Sequence, residues 1–124
     1  MKKAVFIFVS FLLIVIVIFN IDFPLSENNL SGKYINTNFN NPICCVEAPH
    51  VSDTLTLKDD GTFTSKFYGN GEFNIQNGLN PEIEWTYVEF GKKAIYKTSF
   101  SNKIFKKQRI ILNADLNHYY EKIE

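Results

Sequence analysis

The chain has few of the side chains from which catalytic and metal sites are most often built. Its 124 residues include two histidines, two cysteines and one tryptophan. Cys44 and Cys45 are adjacent, and Cα atoms only about 3.8 Å apart hinder an ordinary disulfide. A strained vicinal disulfide, cross-links between copies and two unpaired thiols all remain open. Because His50 is the only histidine near this pair, the ligands are too few for a metal, and we expect neither a metal nor a cofactor.

A recognisable catalytic arrangement is also missing. A serine or cysteine nucleophile would need His50 or His118 held by a carboxylate, and the nearby aspartates are close to them only in sequence. Glu82 and Glu84 share one face of a predicted strand, which is typical of the solvent side of a half-buried strand. We therefore expect no enzymatic activity.

An excess of positive charge is absent as well, since 13 basic residues are balanced by 13 acidic ones. Without Lys2 and Lys3, 13 − 2 = 11 basic residues oppose 13 acidic ones, a net charge of −2. Nucleic-acid binding needs a basic footprint, so we expect no nucleic-acid partner. Basic residues do crowd the segment 92–109, which predicts a solvated loop over 101–108 or a contact with lipid headgroups or an acidic partner.

The one long apolar run follows Lys2 and Lys3 and covers residues 4–19, interrupted only by Ser10. Its length suits both a membrane span and the apolar core of a signal peptide. Residues 20–26 carry no small-residue cleavage pattern, and no cysteine follows the run directly. The sequence therefore favours an uncleaved membrane anchor over a cleaved signal peptide.

The two lysines predict that the N-terminus lies in the cytoplasm and the rest of the chain outside. We expect a single-pass protein of the cell membrane, with residues 4–21 in contact with the lipid bilayer. Its C-terminal domain would be extracytoplasmic, which means periplasmic in a Gram-negative cell. The predicted plan is a cytoplasmic start and anchor at 1–22, a linker at 23–30 and one β-domain at 31–124.

Residues beyond the anchor show the period of two that is typical of β-strands. Asp59-Asp60-Gly61 separates two alternating runs, which is a strong hairpin signal. The first strand is predicted at 32–37 and the last at 118–123. The fold class is all-β: a small antiparallel up-and-down barrel, or a strongly curved meander, of about eight strands behind one transmembrane helix.

Two segments resemble a known family. The opening Leu30-Ser31-Gly32-Lys33-Tyr34 is similar to the Gly-x-Trp start of lipocalin-type barrels, with tyrosine in place of tryptophan. The run Leu55-x-Leu57…Asp60-Gly61-Thr62-Phe63…Gly69-x-Gly71-x-Phe73 resembles the small bacterial lipocalin-like, calycin-type domains that follow a membrane or lipoprotein signal. The resemblance implies that Tyr34 plugs the base of a barrel and that Arg109 lies across it.

The candidate ligand-binding residues combine these two positions with the aromatic side chains of the predicted strands. They are Tyr34, Phe63, Phe67, Trp85, Tyr87, Arg109 and Tyr119. The same aromatic residues, together with Phe73, can instead form a filled core, which we favour because a domain of this size has little apolar surface to spare.

The main functional hypothesis is a membrane-tethered extracytoplasmic β-barrel that binds a small apolar ligand or an envelope partner protein. The alternative is a structural or protective interaction protein, of immunity or stress type, with a filled barrel and no ligand pocket. An open apolar cavity above roughly 300 Å³ would favour the ligand. A filled barrel with an exposed apolar or charged patch would favour the interaction protein.

Overall fold

The computed structural model describes residues 1–40 and 48–124, so Cys44 and Cys45 lie outside the described residues. The described residues form two helices and eight strands. The helices are α1 (Lys2–Asn20) and α2 (Glu27–Leu30), and the strands are β1 (Gly32–Thr37), β2 (Thr54–Leu57), β3 (Thr62–Ser65), β4 (Gly69–Gln76), β5 (Glu82–Glu89), β6 (Lys92–Ser101), β7 (Arg109–Asn113) and β8 (His118–Lys122).

The eight strands form a closed antiparallel barrel in sequence order. Each strand pairs with the next along the chain, and β8 returns to β1 with Tyr34 opposite Lys122 and Thr37 opposite Tyr119. Closure removes the exposed strand edges at which sheets aggregate. The predicted all-β barrel of about eight strands behind one N-terminal helix is confirmed.

Helix α1 is 19 residues long, and none of its residues is buried against the barrel. At a rise of 1.5 Å per residue it is about 28 Å long, close to the roughly 30 Å hydrocarbon thickness of a bilayer. By length and composition it can cross a membrane, although a signal sequence would satisfy the same criteria.

The segment 23–30 differs from the linker that the sequence predicts. Ser26 caps a single helical turn by accepting the N–H of Asn29 on its hydroxyl, and this turn is α2. Leu25, just before the turn, and Leu30, its last residue, are 5% and 1% exposed and belong to the barrel core. Two leucines five residues apart therefore hold the segment against the barrel, while its other residues are exposed.

Alternating residues of each strand point into the barrel, as the period of two requires. In β5 the inward residues are Ile83, Trp85 and Tyr87, which confirms the predicted strand register. The core is apolar and rich in aromatic rings; its buried members are Leu25, Leu30, Tyr34, Leu55, Leu57, Phe63, Tyr68, Phe73, Ile83, Trp85, Tyr87, Phe100, Ile110 and Tyr120.

We call the end of the barrel to which α1 is connected the anchor end, and the opposite end the distal end. The anchor end carries α2, the loops at 58–61, 77–81 and 102–108, and the residues after β8. The distal end carries the turns at 66–68, 90–91 and 114–117.

The turn between β2 and β3 depends on Gly61, whose φ is +82°. Its N–H donates to the carbonyl of Lys58, whose own N–H donates to the carbonyl of Thr62. A β-branched residue is strained in this left-handed region, so Gly61→Val should lower the free energy of unfolding by about 1 kcal/mol or more. Denaturant unfolding followed by circular dichroism measures the change.

Asp59→Asn is the matched control, because asparagine keeps the turn-forming capacity of aspartate. It should leave the unfolding midpoint almost unchanged. A Gly61→Val protein as stable as the parent would show that this turn does not need the left-handed conformation.

Candidate functional site

The interior of the barrel is occupied by packed aromatic rings. Phe63 contacts Trp85 edge-on, with ring centroids 5.2 Å apart, and Tyr68 meets Tyr87 at 5.1 Å. Gly71 makes room for this packing, because a Cβ there would clash with the carbonyl of Thr86 and lie 2.7 Å from the Phe63 ring. Three of the candidate ligand-binding residues, Phe63, Trp85 and Tyr87, therefore serve as core.

Tyr34 lies fully buried at the anchor end of the barrel. Its hydroxyl donates to the carbonyl of Leu30 at 2.6 Å and lies 3.2 Å from Oε1 of Gln108. Burial raises the pKa of Tyr34 well above its ordinary value. The side chain therefore fills space at this end of the barrel, and the role that the resemblance implies for it stays a prediction.

Arg109 does not lie across Tyr34, and that prediction is wrong. Ile110 is the inward residue of β7, so Arg109 points outward. Its Nε donates to Oε2 of Glu121 at 2.7 Å, and its guanidinium lies 4.4 Å from the ring centroid of Tyr119. The cation beside the base tyrosine is Lys122, whose Nζ is 6.0 Å from the ring centroid of Tyr34.

Two further candidates face away from the core. Phe67 lies in the turn after β3 and is 43% exposed, while the next residue, Tyr68, enters the barrel. Tyr119 lies on the outer face under Arg109, and Tyr120 takes the inward position with no exposed surface. Sequence reasoning missed both inward tyrosines because each adjoins another aromatic residue.

Sequence reasoning also missed a buried polar network around Asp53, which is 3% exposed. Its Oδ2 accepts the hydroxyl of Tyr120 at 2.6 Å, and its Oδ1 accepts the backbone N–H groups of Lys66 and Phe67 at 3.1 and 3.3 Å. Asn36 completes the network by accepting the N–H of Asp53. The available signal was that Asp53 shares the parity of Leu55 and Leu57, which places a carboxylate on the inward side.

The network affects the ionisation of Tyr120. Burial raises the pKa of its hydroxyl far above the ordinary value, and the hydrogen bond to Asp53 and the negative charge of that carboxylate raise it further. The hydroxyl therefore stays protonated and remains a donor to Asp53. This arrangement fastens β8 to the segment before β2, which is a structural use of a carboxylate.

The two histidines are neighbours, with ring centroids 6.4 Å apart. His118 is 1% exposed at the start of β8, whereas His50 is exposed. Burial lowers the pKa of His118, and the nearby His50 lowers it further. Among the described residues, no group of three or more metal-ligating side chains comes together.

An acidic groove of about 460 Å³ lies on the outer face of β3, β4 and β5. We define the acidic groove by its four carboxylates, Glu27, Asp60, Glu72 and Glu84. Lys97 approaches Glu84 at 3.8 Å, and the hydroxyl and N–H of Thr62 lower the pKa of Asp60. The groove therefore presents a negative surface outside the barrel.

A second groove, of about 410 Å³, lies at the anchor end and has the opposite charge. Lys106, Lys107 and Lys122 line it, and Lys103 follows β6 in the same loop. We call these four lysines the basic rim. Nζ of Lys122 donates to the carbonyl of Asn29 at 3.0 Å and to Gln108, and burial lowers the pKa of Lys122.

Comparison with known proteins adds no family to this description. No family model matches the chain, and neither the curated proteins nor the solved structures include a significant match.

Proposed function

We propose that this chain is a single-pass membrane protein whose β-barrel is a non-enzymatic interaction module for an envelope partner protein. The observation that carries the proposal is the filled barrel. Tyr34 and Phe63 have no exposed surface, and Trp85 and Tyr87 are 4% and 7% exposed. Small apolar ligands are usually held in pre-formed cavities of about 300–1,000 Å³, and these rings occupy the corresponding space.

The proposed relationship to lipocalin-like domains is supported by strand order and by Tyr34 at the base. Eight strands in sequence order close a barrel whose interior side chains can nearly fill it. The outward position of Arg109 is a departure from the pattern that the resemblance implies.

The acidic groove supports a partner with basic character. Glu72 and Glu84 lie on the outer faces of β4 and β5, and Glu27 in α2 and Asp60 in the turn before β3 lie beside them, so all four carboxylates are outside the filled interior. Complementary charge steers association and selects among partners, so a basic segment of an envelope protein is the expected occupant.

Photo-crosslinking in native membranes tests the proposal. A photoreactive amino acid at Asn74, in the acidic groove, should give a discrete protein adduct, while one at Ile35, on the outer face of the distant strand β1, should not. Glu72→Lys should reduce the Asn74 adduct about ten-fold or more, since like charges across an interface cost several kcal/mol. Glu89→Lys, at the distal end of β5, is the control and should leave the adduct intact.

Native mass spectrometry of the same membrane-extracted protein examines the competing hypothesis. A stoichiometric fatty acid or other apolar molecule, with no adduct at Asn74, would contradict the interaction module.

A C-terminal phosphatase that functions only outside the cytoplasm tests topology and should be active when fused after Glu124.

A further inference from the structure

The connection between α1 and the barrel is short and hydrogen-bonded. Asp22 Oδ1 accepts the N–H of Asn102 at 2.7 Å, and the N–H of Phe23 donates to the Asn102 carbonyl at 2.9 Å. Leu25 exchanges two more hydrogen bonds with the Asn77 side chain. Three residue steps separate the end of α1 at Asn20 from Phe23, which allows a separation of at most about 10 Å.

A membrane around α1 must therefore lie close to the anchor end. The loop at 102–108 lies beside the end of α1, because Asn102 holds the connection and the ring of Phe105 lies 5.9 Å from that of Phe19. Phe19 is in the last turn of α1, where an aromatic residue of a spanning helix meets the headgroup region.

Phe105 extends the apolar surface of α1 onto the barrel. It is 87% exposed at the tip of a tight turn, in which the N–H of Lys106 donates to the carbonyl of Lys103. Its φ of 58° is unusual for a bulky residue. The turn thus exposes a large ring to solvent at an energetic cost, beside the helix end.

Three lysines of the basic rim, Lys103, Lys106 and Lys107, are close to Phe105 in the same loop. Lysine stems can lie along an apolar surface while their ammonium groups reach lipid phosphates. Glu124 also lines the groove of the basic rim and pairs with Lys33 at 3.1 Å, and Asp22 accepts from Asn102. The carboxylates of Glu27 and Asp60 are at the same end of the barrel, but they line the acidic groove beside β3, β4 and β5 and not the groove of the basic rim. The groove lined by Lys106, Lys107 and Lys122 is large enough for a phosphate headgroup.

We propose that the part of the anchor end formed by the loop 102–108 docks on the anionic lipid surface of the bilayer that holds α1. Phe105 inserts among the headgroups, and the basic rim contacts their phosphates. The barrel is then held in a fixed orientation, with the distal end away from the membrane. This inference rests on the proposed membrane anchor, and it adds a second membrane contact that the anchor does not require.

The distal end supplies a matched control. Phe90 is 97% exposed, has a φ of 50° and is followed, after Gly91, by Lys92 and Lys93. It has the same ring, a similar backbone conformation and two neighbouring lysines, but it lies at the end opposite to α1. The proposal predicts that Phe105 contacts the lipid and that Phe90, in a chemically similar turn, does not.

The experiment uses the full chain in vesicles of brominated phosphatidylcholine with or without phosphatidylglycerol. In Phe105→Trp the new fluorophore should be quenched about two-fold or more, since aromatic rings locate at the interface. Phe90→Trp should not be quenched beyond the parent. Trp85 contributes a constant background because it is buried inside the barrel.

The charge requirement is tested in the same background. K106E with K107E should abolish the part of the Phe105→Trp quenching that phosphatidylglycerol adds, while K92E with K93E should leave it unchanged. Equal quenching of tryptophan at positions 105 and 90 would overturn the proposal. Quenching at position 105 that is unchanged by phosphatidylglycerol and by the K106E and K107E substitutions would also overturn it.

Alkaline carbonate extraction separates failure of this inference from failure of the proposed anchor. Protein that stays in the membrane while position 105 is not quenched would overturn the docking and leave the anchor intact. Protein that is released from the membrane would overturn the anchor and the docking together.

Discussion

Trp85→Ala should lower the free energy of unfolding by about 3–5 kcal/mol, the usual cost of removing a buried large aromatic side chain. Trp85 contacts Phe63 and Phe73 at centroid distances of 5.2 and 6.0 Å. Its indole N–H donates to the hydroxyl of Thr98 at 2.8 Å, so the truncation also leaves a buried hydroxyl with one bond fewer. Far-UV circular dichroism of the full chain in micelles, followed through denaturant, measures the change.

Glu84→Ala is the control for that substitution, because Glu84 lies on the outer face of the same strand. Its ion pair with the half-exposed Lys97 spans 3.8 Å, and such surface pairs contribute at most about 1 kcal/mol. Similar losses at Trp85 and Glu84 would mean that the strand is displaced by one residue, which exchanges its two faces.

Asp53→Ala should lower the free energy of unfolding by about 3–4 kcal/mol, because a buried donor left without an acceptor costs about 1–3 kcal/mol. Three donors lose their acceptor together: the hydroxyl of Tyr120 and the N–H groups of Lys66 and Phe67. Thermal and denaturant unfolding measure the loss.

Asp53→Asn separates hydrogen bonding from volume. Its amide oxygen can still accept the two backbone N–H groups, and its amide nitrogen can donate to the oxygen of Tyr120. We expect a loss of about 1–2 kcal/mol, clearly smaller than that of the alanine variant. If alanine and asparagine were equally tolerated, the network would not hold β8 to the segment before β2. Tyr120→Phe combined with Asp53→Ala completes a double-mutant cycle that measures the coupling directly.

The strand pattern was largely predictable, because inward and outward residues alternate wherever one face is buried. In β5 the outward residues Glu82, Glu84 and Thr86 are polar and the inward residues between them are apolar or aromatic, so the inward face of Ile83, Trp85 and Tyr87 followed from the sequence. The turn at Gly61 was equally local, since its chemistry depends on only four residues.

The candidate site was less predictable where neighbouring residues are alike. Phe67 and Tyr68 are both aromatic, and so are Tyr119 and Tyr120, so hydrophobicity does not tell which member of a pair faces inward. A turn of three residues between β3 and β4 decides the first pair, and the pairing of β8 with β1 and β7 decides the second. The outward position of Arg109 is also decided by strand pairing, because Ile110 is the inward residue of β7.

By itself, the sequence determined an apolar helix long enough to span a membrane and an all-β domain of eight strands, since both depend on local composition and periodicity. Only the tertiary structure showed that Asp22, Phe23 and Leu25 bind the barrel loops and that Phe105 lies beside Phe19. Partners such as Asp22 and Asn102 are 80 residues apart, and their side chains carry no local signal of that pairing. Closure of the barrel brings them together, and this closure decides which end of the domain lies next to the anchor.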